Sequence, residues 1–536
     1  MSLIAPTTSA KTPQISQGLT LGRASILMAL MILLSRITGF GRMMVTSHLY
    51  GQNALTDAYN AAFNIPDTIS IIIAGGALAT GFVPVFTEYL SRGETERAQN
   101  TFRALLTLLG AAFALISLLL FALTFTPIGR ALALSQVKPQ YVDLYFQLLR
   151  ILLVAQWFFV LGGLFSGTLN ALRLFWGAAL LPVMFNLGII VAGIVGPRWF
   201  GAGIESQAWG ALIGAFVGAI LVQVPVIWRN GLSLKPLWNP RDEGVHRVLV
   251  SLLPIVFGLA SGQIIALNLT RFLVGAGEGD ISAIDNANRL MQLPLAIFAS
   301  GPAIALFPTI SLLATEGKRD ELRLQLAGAL RRTILMSLCA SALLMALAEP
   351  LVRLLLQHGA FDANDTRLTS IVTVCFAFGI VGLSAQQILA RGFYAQNQTR
   401  TPVVVGAACM ILFGALGWFF RALGWGAPGL ALAASVALSV LGALLWFALR
   451  AQLGGWDEGA TQRVLMRGAI AAAASFGGAK IVALAVARFT SEIGRIADVV
   501  TLGIGCTVSL AIFVVVAKAL EIEEISALTS KIKRKN

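Results

Sequence analysis

The run Ala104–Gly129 reads ALLTLLGAAFALISLLLFALTFTPIG and contains no Asp, Glu, Lys or Arg. It exceeds the roughly 20 apolar residues that a helix needs to cross the hydrocarbon of a bilayer. Similar charge-free runs lie at Ile151–Leu172, Leu174–Pro197, Ser206–Trp228, Val248–Thr270, Leu290–Thr315, Leu368–Ala390, Thr401–Phe420, Ala422–Leu449 and Val499–Ala517. Weaker ones lie around 25–48, 58–87, 326–348 and 466–487. The reading is an all-α polytopic membrane protein of about fourteen transmembrane helices, here called spans 1 to 14.

Composition points the same way. Of the 536 residues, 57% are hydrophobic and 12% charged, against about 25% charged in a soluble domain. Mean hydropathy is +0.81. So few polar residues cannot coat a water-facing surface, which excludes a soluble enzyme. Cys339, Cys375, Cys409 and Cys506 all sit in apolar runs without a CxxC pair, so neither a disulfide framework nor a zinc site is expected. His48, His246 and His358 lie far apart near span ends and read as interfacial. No GxxxxGK[ST] loop, paired-carboxylate site or nucleophile–base set can be placed, so no enzymatic step is expected.

The net charge of +14 would suggest nucleic acid in a soluble chain. Here it reads as topology, and no nucleic-acid partner is expected. With a cytoplasmic N-terminus and fourteen spans, the inner loops and tails collect 25 Lys and Arg and the outer loops 9. The positive-inside rule then places both termini in the cytoplasm. Residues 1–21 read as a disordered tail without a cleavable signal peptide. The basic tail 521–536, ending Lys531-Ile532-Lys533-Arg534-Lys535-Asn536, either rests on anionic head groups or is a solvated end.

The chain repeats itself. Phe82-Val83-Pro84 with Gly93 nine residues on matches Leu306-Phe307-Pro308 with Gly317, at an offset of 224. Gly167 matches Gly392 at 225, and Pro66 matches Pro294 at 228, so span 8 is about four residues shorter in its middle than span 2. Residues 22–229 (spans 1–6) and 230–452 (spans 7–12) are read as two six-helix pseudo-repeats, with 453–520 (spans 13 and 14) appended. Both halves start on the same side, so they are parallel repeats about an axis along the membrane normal. That is a transporter plan with its substrate site between the halves.

Charge inside a span costs roughly 2.5–3.5 kcal/mol at its centre and marks a cavity or a partner. Span 1 carries Arg36 and Arg42, which point about 120° apart on an ideal helix. Gly39 and Gly41 lie between them, and a bend there would turn both guanidiniums into one cavity. Arg42 also lies near enough to an end to snorkel. Asp57 opens span 2 and is either an N-cap or the partner of a span 1 arginine on the outer side. Asp285 and Arg289 share one face of span 8, where they either neutralise each other or hold an oriented cation in the cavity. Arg150, two turns into span 4, reads as a snorkelling side chain. Gly75 and Gly76 in span 2, and Gly301 and Pro302 in span 8, are hinge candidates, although close packing is the commoner use of such residues.

Several of these residues form a pattern. Ser35-Arg36-x-x-Gly39-Phe40-Gly41-Arg42, Thr56-Asp57-Ala58 and Gly81-Phe82-Val83-Pro84-Val85-Phe86-x-Glu88-Tyr89 resemble the MurJ (MviN) family of lipid II flippases. So do Asn288-Arg289-Leu290-Met291-Gln292-Leu293-Pro294 and Gly392-Phe393-Tyr394-Ala395 followed by Thr399-Arg400-Thr401-Pro402. The resemblance covers about 22–520 and includes the wider MOP superfamily. It implies export of lipid-linked peptidoglycan precursor across the bacterial inner membrane for cell wall synthesis. It assigns Arg36, Arg42 and Arg289 to the substrate cavity and Asp57 to an outer-side charge. It further implies a monomer whose partners are lipid II, membrane lipids and the peptidoglycan synthesis machinery.

Two positions depart from the family: Met43 stands where many relatives have Asp, and Ser70 where many have Arg, which implies a less charged cavity. Some relatives bind sodium through an acid on span 7 and polar groups on span 11. Val248–Thr270 and Thr401–Phe420 contain no acid and offer only Gln263, Asn268 and Thr401, so no tight sodium site is expected and no cofactor is implied.

The chemistry fits an anionic lipid substrate. Arginine forks bind phosphate oxygens in bidentate, charge-assisted bonds. Spans 13 and 14 could form an apolar groove for a polyprenyl tail. An inside-negative potential favours outward movement of an anion by about 2.3 kcal/mol per charge per 100 mV. A flippase for another polyprenyl-diphosphate glycan, of the O-antigen type, would use the same arginines. A MATE-like cation antiporter would want acids in their place, and a scaffold would have no reason to retain buried charge.

Overall fold

The computed structural model describes residues 21–72, 78–134, 137–251, 277–396, 398–456, 458–489 and 495–525. The expected N-terminal tail, Gly75 and Gly76, most of span 7 and the basic C-terminal tail lie outside them. Among the described residues the structure is helical, with no strand. They fall into two compact units, one within Met1–Tyr50 and Ala54–Leu267, the other within Gly51–Asn53 and Asn268–Asn536.

The first unit holds α1 (Leu21–Tyr50), α2 (Ala54–Ile72), α3 (Leu78–Ser91), α4 (Thr95–Leu123), α5 (Pro127–Leu134), α6 (Val142–Ala171), α7 (Phe175–Phe200) and α8 (Glu205–Arg229). α6 is its axis and packs on α2, α3, α4, α7 and α8. Phe82, Phe86, Phe102, Leu105, Leu164 and Leu169 are fully buried around it. Apolar surface gains nothing by leaving lipid for a protein interior, so tight packing must do the work that water exclusion does in a soluble core. α7 and α8 achieve it through glycine: a Cβ at Gly188 would overlap the Gly210 carbonyl, and one at Gly214 the Met184 carbonyl.

The second unit holds α9 (Asp280–Thr315), α10 (Arg319–Leu356), α11 (Ala363–Ala377), α12 (Ile380–Ala395), α13 (Arg400–Ala422), α14 (Gly426–Gln452), α15 (Glu458–Phe489) and α16 (Arg495–Ala519). The helix pair α15–α16 packs on α10. Arg331 binds Glu524 at 2.7 Å near one end of α10, and Arg353 binds buried Asp498 at 3.2 Å near the other.

Ten helices among the described residues are long and apolar enough to cross a membrane, or eleven if the bent pair α11–α12 is one span. These fall one for one on spans 3–6 and 8–14. α1 lies on span 1, and α2 with α3 on span 2. Residues 243–251 form the first turns of span 7.

Both units use one plan. The contacts α7·α8, α6·α8, α2·α6, α4·α6, α3·α4 and α6·α7 recur as α13·α14, α12·α14, α9·α12, α10·α12, α9·α10 and α12·α13. The repeat read from Pro and Gly spacing is thus a repeat of helix neighbours. It extends to a hydrogen bond: the Ser117 hydroxyl reaches the Leu153 carbonyl at 3.5 Å, and Ser341, 224 residues on, donates to the Ala377 carbonyl at 2.7 Å.

The copies differ where that bond falls. α6 is unbroken, whereas α11 and α12 meet at 43°. A bend strands carbonyls of the preceding turn, which is costly where water is absent. Ser341 takes the Ala377 carbonyl, and Ser435 of α14 donates toward those of Cys375 at 2.7 Å and Phe376 at 3.3 Å. The shortened span 8 appears as the single helix α9, with a π-helical segment Ala296–Ser300 next to Gly301 and Pro302.

Candidate functional site

α1 runs unbroken through Gly39 and Gly41. A Cβ at Gly39 would touch Asn186, and one at Gly41 would come within 3.3 Å of Ile190, so both glycines admit α7. A polar seam holds the same face. Asn186 Nδ2 donates to the Ser35 carbonyl at 3.4 Å and toward Thr38 Oγ1 at 3.5 Å. About two turns beyond Thr38, Thr46 reaches the side-chain oxygen of fully buried Gln207, on α8, at 2.9 Å.

This seam positions the two arginines. Arg36 is exposed and Arg42 half-buried. The Arg42 guanidinium lies 5.4 Å from the ring centroid of Phe63 on α2, within cation–π range. Among the described residues, no carboxylate lies within ion-pair distance of either arginine. Met43 is buried, so the position that departs from the family pattern is occupied by a side chain that suits its surroundings.

Asp57 corrects one expectation. The link after α1 is only Gly51–Asn53, and α2 begins at Ala54. The cap position therefore falls on Asn53, and Asp57 sits within the first turn. It is 7% exposed there, where the helix dipole still favours a negative charge. The link itself belongs to the second unit. The Gln52 amide donates to Asp365 Oδ2 at 3.2 Å, and the Thr369 hydroxyl donates to Gln52 Oε1 at 2.7 Å.

In the second unit, Asp285 and Arg289 are both half-buried, four residues apart on α9. Gly301 and Pro302 follow the π segment of the same helix and are exposed. The predicted site residues thus divide between the units: Arg36, Arg42 and Asp57 in the first, Asp285 and Arg289 in the second. Ser70 lies on α2.

Sequence reading missed Gln207, Thr46 and Phe63, whose only signal is a polar or aromatic residue in or beside an apolar run. It also left Glu88 without a role. In the structure Arg247 grips Glu88 at 2.6 and 3.4 Å, and Arg92 adds a contact at 2.9 Å. The Arg247 bond holds the Glu88 carboxyl below the usual carboxylate range. Asp242 caps the helix 243–251 by accepting from the Val245 amide at 3.0 Å, and it also accepts from Thr101 at 2.8 Å. These contacts fasten the start of span 7 to α3 and α4.

No group of three or more His, Cys, Asp or Glu among the described residues could hold a metal ion. α13 carries no carboxylate and a single hydroxyl near its start, Thr401. What the chain presents is cationic forks on packed apolar helices, a chemistry for binding phosphate.

The sequence model described as lipid II flippase MurJ matches residues 46–497. A probable lipid II flippase MurJ of Bdellovibrio bacteriovorus is 28% identical over 94% of this chain and 96% of its own length. A solved structure of a lipid II flippase MurJ in an inward closed conformation superposes with a TM-score of 0.73. It is 22% identical and covers 92% of this chain and 99% of the other. An inward-facing MATE family multidrug resistance transporter of the MOP superfamily superposes at 0.67, with 16% identity over 80% of this chain and 98% of its own. At those identities the two structures establish the shared fold.

Proposed function

This chain belongs to the lipid II flippase MurJ family, and from that premise we propose that it carries lipid II from the inner to the outer leaflet by alternating access. The observation that carries the reading is the family match across 46–497, which spans the helices from the end of α1 to the start of α16. The protein is a multi-pass membrane protein of many apolar helices. In this reading both termini face the cytoplasm, as the bias of 25 to 9 basic residues requires.

Arg36, Arg42 and Arg289 bind the diphosphate. The Phe63 ring holds the Arg42 guanidinium in advance, so less of its side-chain freedom is lost on binding. Asp57 serves the outer gate, and Asp285 shares one face of α9 with Arg289. The α15–α16 pair offers apolar surface to the polyprenyl tail. No bond is made or broken, and the membrane potential supplies the drive, at about 2.3 kcal/mol per charge per 100 mV.

Depleting the protein and measuring the leaflet distribution of lipid II tests the reading. Accumulation in the inner leaflet is the expected result. An unchanged distribution, with other flippases absent, would refute it. The arginines favour this function over cation antiport, because a cationic substrate would be repelled by them.

A further inference from the structure

Arg150 on α6 is held by aromatic rings and a hydroxyl. Its guanidinium carbon lies 3.9 Å from the ring centroid of Phe125, 5.8 Å from that of Phe121 and 6.0 Å from that of Phe146. Its Nε donates to Thr124 Oγ1 at 2.8 Å, while the Thr124 hydroxyl donates to the Phe121 carbonyl at 2.7 Å. One face of the cation and one N–H are therefore fixed. Among the described residues no carboxylate approaches it within 4.0 Å, and its terminal nitrogens bond no protein group. A half-buried cation oriented by aromatic rings presents a two-nitrogen fork that suits an oxyanion.

The surroundings define that anion. α5 follows α4 directly and is only eight residues long. Its Gly129 and Ala133 are buried, whereas Ile128 is 67% and Leu132 52% exposed. Phe125, beside Arg150, is 64% exposed. A short helix that shows its large apolar residues outward beside a membrane span offers a surface suited to acyl chains. Arg130 projects from the same helix, 61% exposed, and its nearest acid is Asp143 at 3.8 Å. The surface thus joins exposed apolar side chains to two cations, half-buried Arg150 and exposed Arg130.

We propose that the α4–α5 turn and the adjoining stretch of α6 bind one anionic phospholipid, its phosphate on the Arg150 fork and its acyl chains along Ile128 and Leu132. Arg130 adds attraction for head groups with net negative charge. The lipid held here is a resident one and is not the transported substrate.

The test is native mass spectrometry of the purified full chain with phosphatidylglycerol, phosphatidylcholine or glycerol phosphate added. Arg150→Gln should lower retention of phosphatidylglycerol about tenfold, the loss of one charge-assisted pair (about 1.4 kcal/mol). Arg150→Lys should recover part of it, and Thr124→Val should give an intermediate loss at an unchanged Tm. Equal retention by the wild type and by folded Arg150→Gln and Thr124→Val would overturn the proposal. Equal retention of phosphatidylcholine, or glycerol phosphate bound as well as the lipid, would overturn it too.

Discussion

At the scale of the residue, Arg42 illustrates how a cation is kept inside a span. Phe63 faces its guanidinium, Gly41 lets α7 close behind it, and Thr46 locks the next turn to Gln207. Charge-assisted bonds to a phosphate contribute roughly 1.5–3 kcal/mol each. Replacing Arg36, Arg42 or Arg289 with Ala should therefore abolish complementation of a flippase-deficient strain at normal membrane levels. Lys should restore it only in part, because a point charge lacks the fork. Full activity of all three alanine variants would remove the arginines from the mechanism. Asp57 gives the companion test. Since the cap position belongs to Asn53, Asp57→Asn changes the charge of the first turn without touching the cap. The expected outcome is lost transport with Tm nearly unchanged. Normal transport would reduce Asp57 to a dipole contact.

At the scale of the element, the bend between α11 and α12 is held by two hydroxyls from neighbouring helices. Removing either takes a donor from one carbonyl, that of Ala377 or of Cys375, at about 1–3 kcal/mol, while the Phe376 carbonyl keeps the Gly379 amide. Ser341→Ala and Ser435→Ala should each lower the Tm, measured in detergent. The matching Ser117→Ala in the straight α6 should do so less, because its bond is 3.5 Å long and α6 already satisfies its own ladder. Gly382→Ala should be worse than either, since its Cβ would lie 2.7 Å from the Ser439 nitrogen and 2.8 Å from the Leu438 carbonyl. Equal Tm losses at Ser117 and Ser341 would mean that the bend places no demand on the serines.

At the scale of the whole molecule, stability and energy coupling can be tested separately. Glu88 is ionised more readily in the folded protein than in the unfolded chain, because Arg247 bonds its charged form. Its contribution is therefore complete above the unfolded carboxylate pKa and lost as pH falls through the lower folded value. Tm followed from pH 7 to pH 3 should decline less steeply in Arg247→Gln than in the wild type. An identical slope would remove the pair from the acid response. For coupling, reconstituted vesicles with an imposed potential should flip substrate equally well with sodium or with choline. Flipping that stops in choline at unchanged potential would overturn the potential-driven reading.

The apolar runs, the basic-residue asymmetry and the Pro–Gly spacings by themselves determined the membrane class, the helical spans and the two-fold repeat. Each is a property of about 20 adjacent residues or of fixed offsets along the chain, and the bilayer enforces it: a backbone in hydrocarbon must satisfy itself as a helix. The arginines of α1 and α9 were legible for the same reason, since charge in such a run is costly enough to stand out. Only the tertiary structure decided that α2 starts at Ala54, that Ser435 serves the carbonyls of another helix, and that Arg150 rests on Phe125. The last two depend on partners 25 and 60 positions away in the chain, and the link before α2 is bonded to residues more than 300 positions away. Helix packing brings them within a few ångströms, and hydropathy carries no information about which side chains then meet.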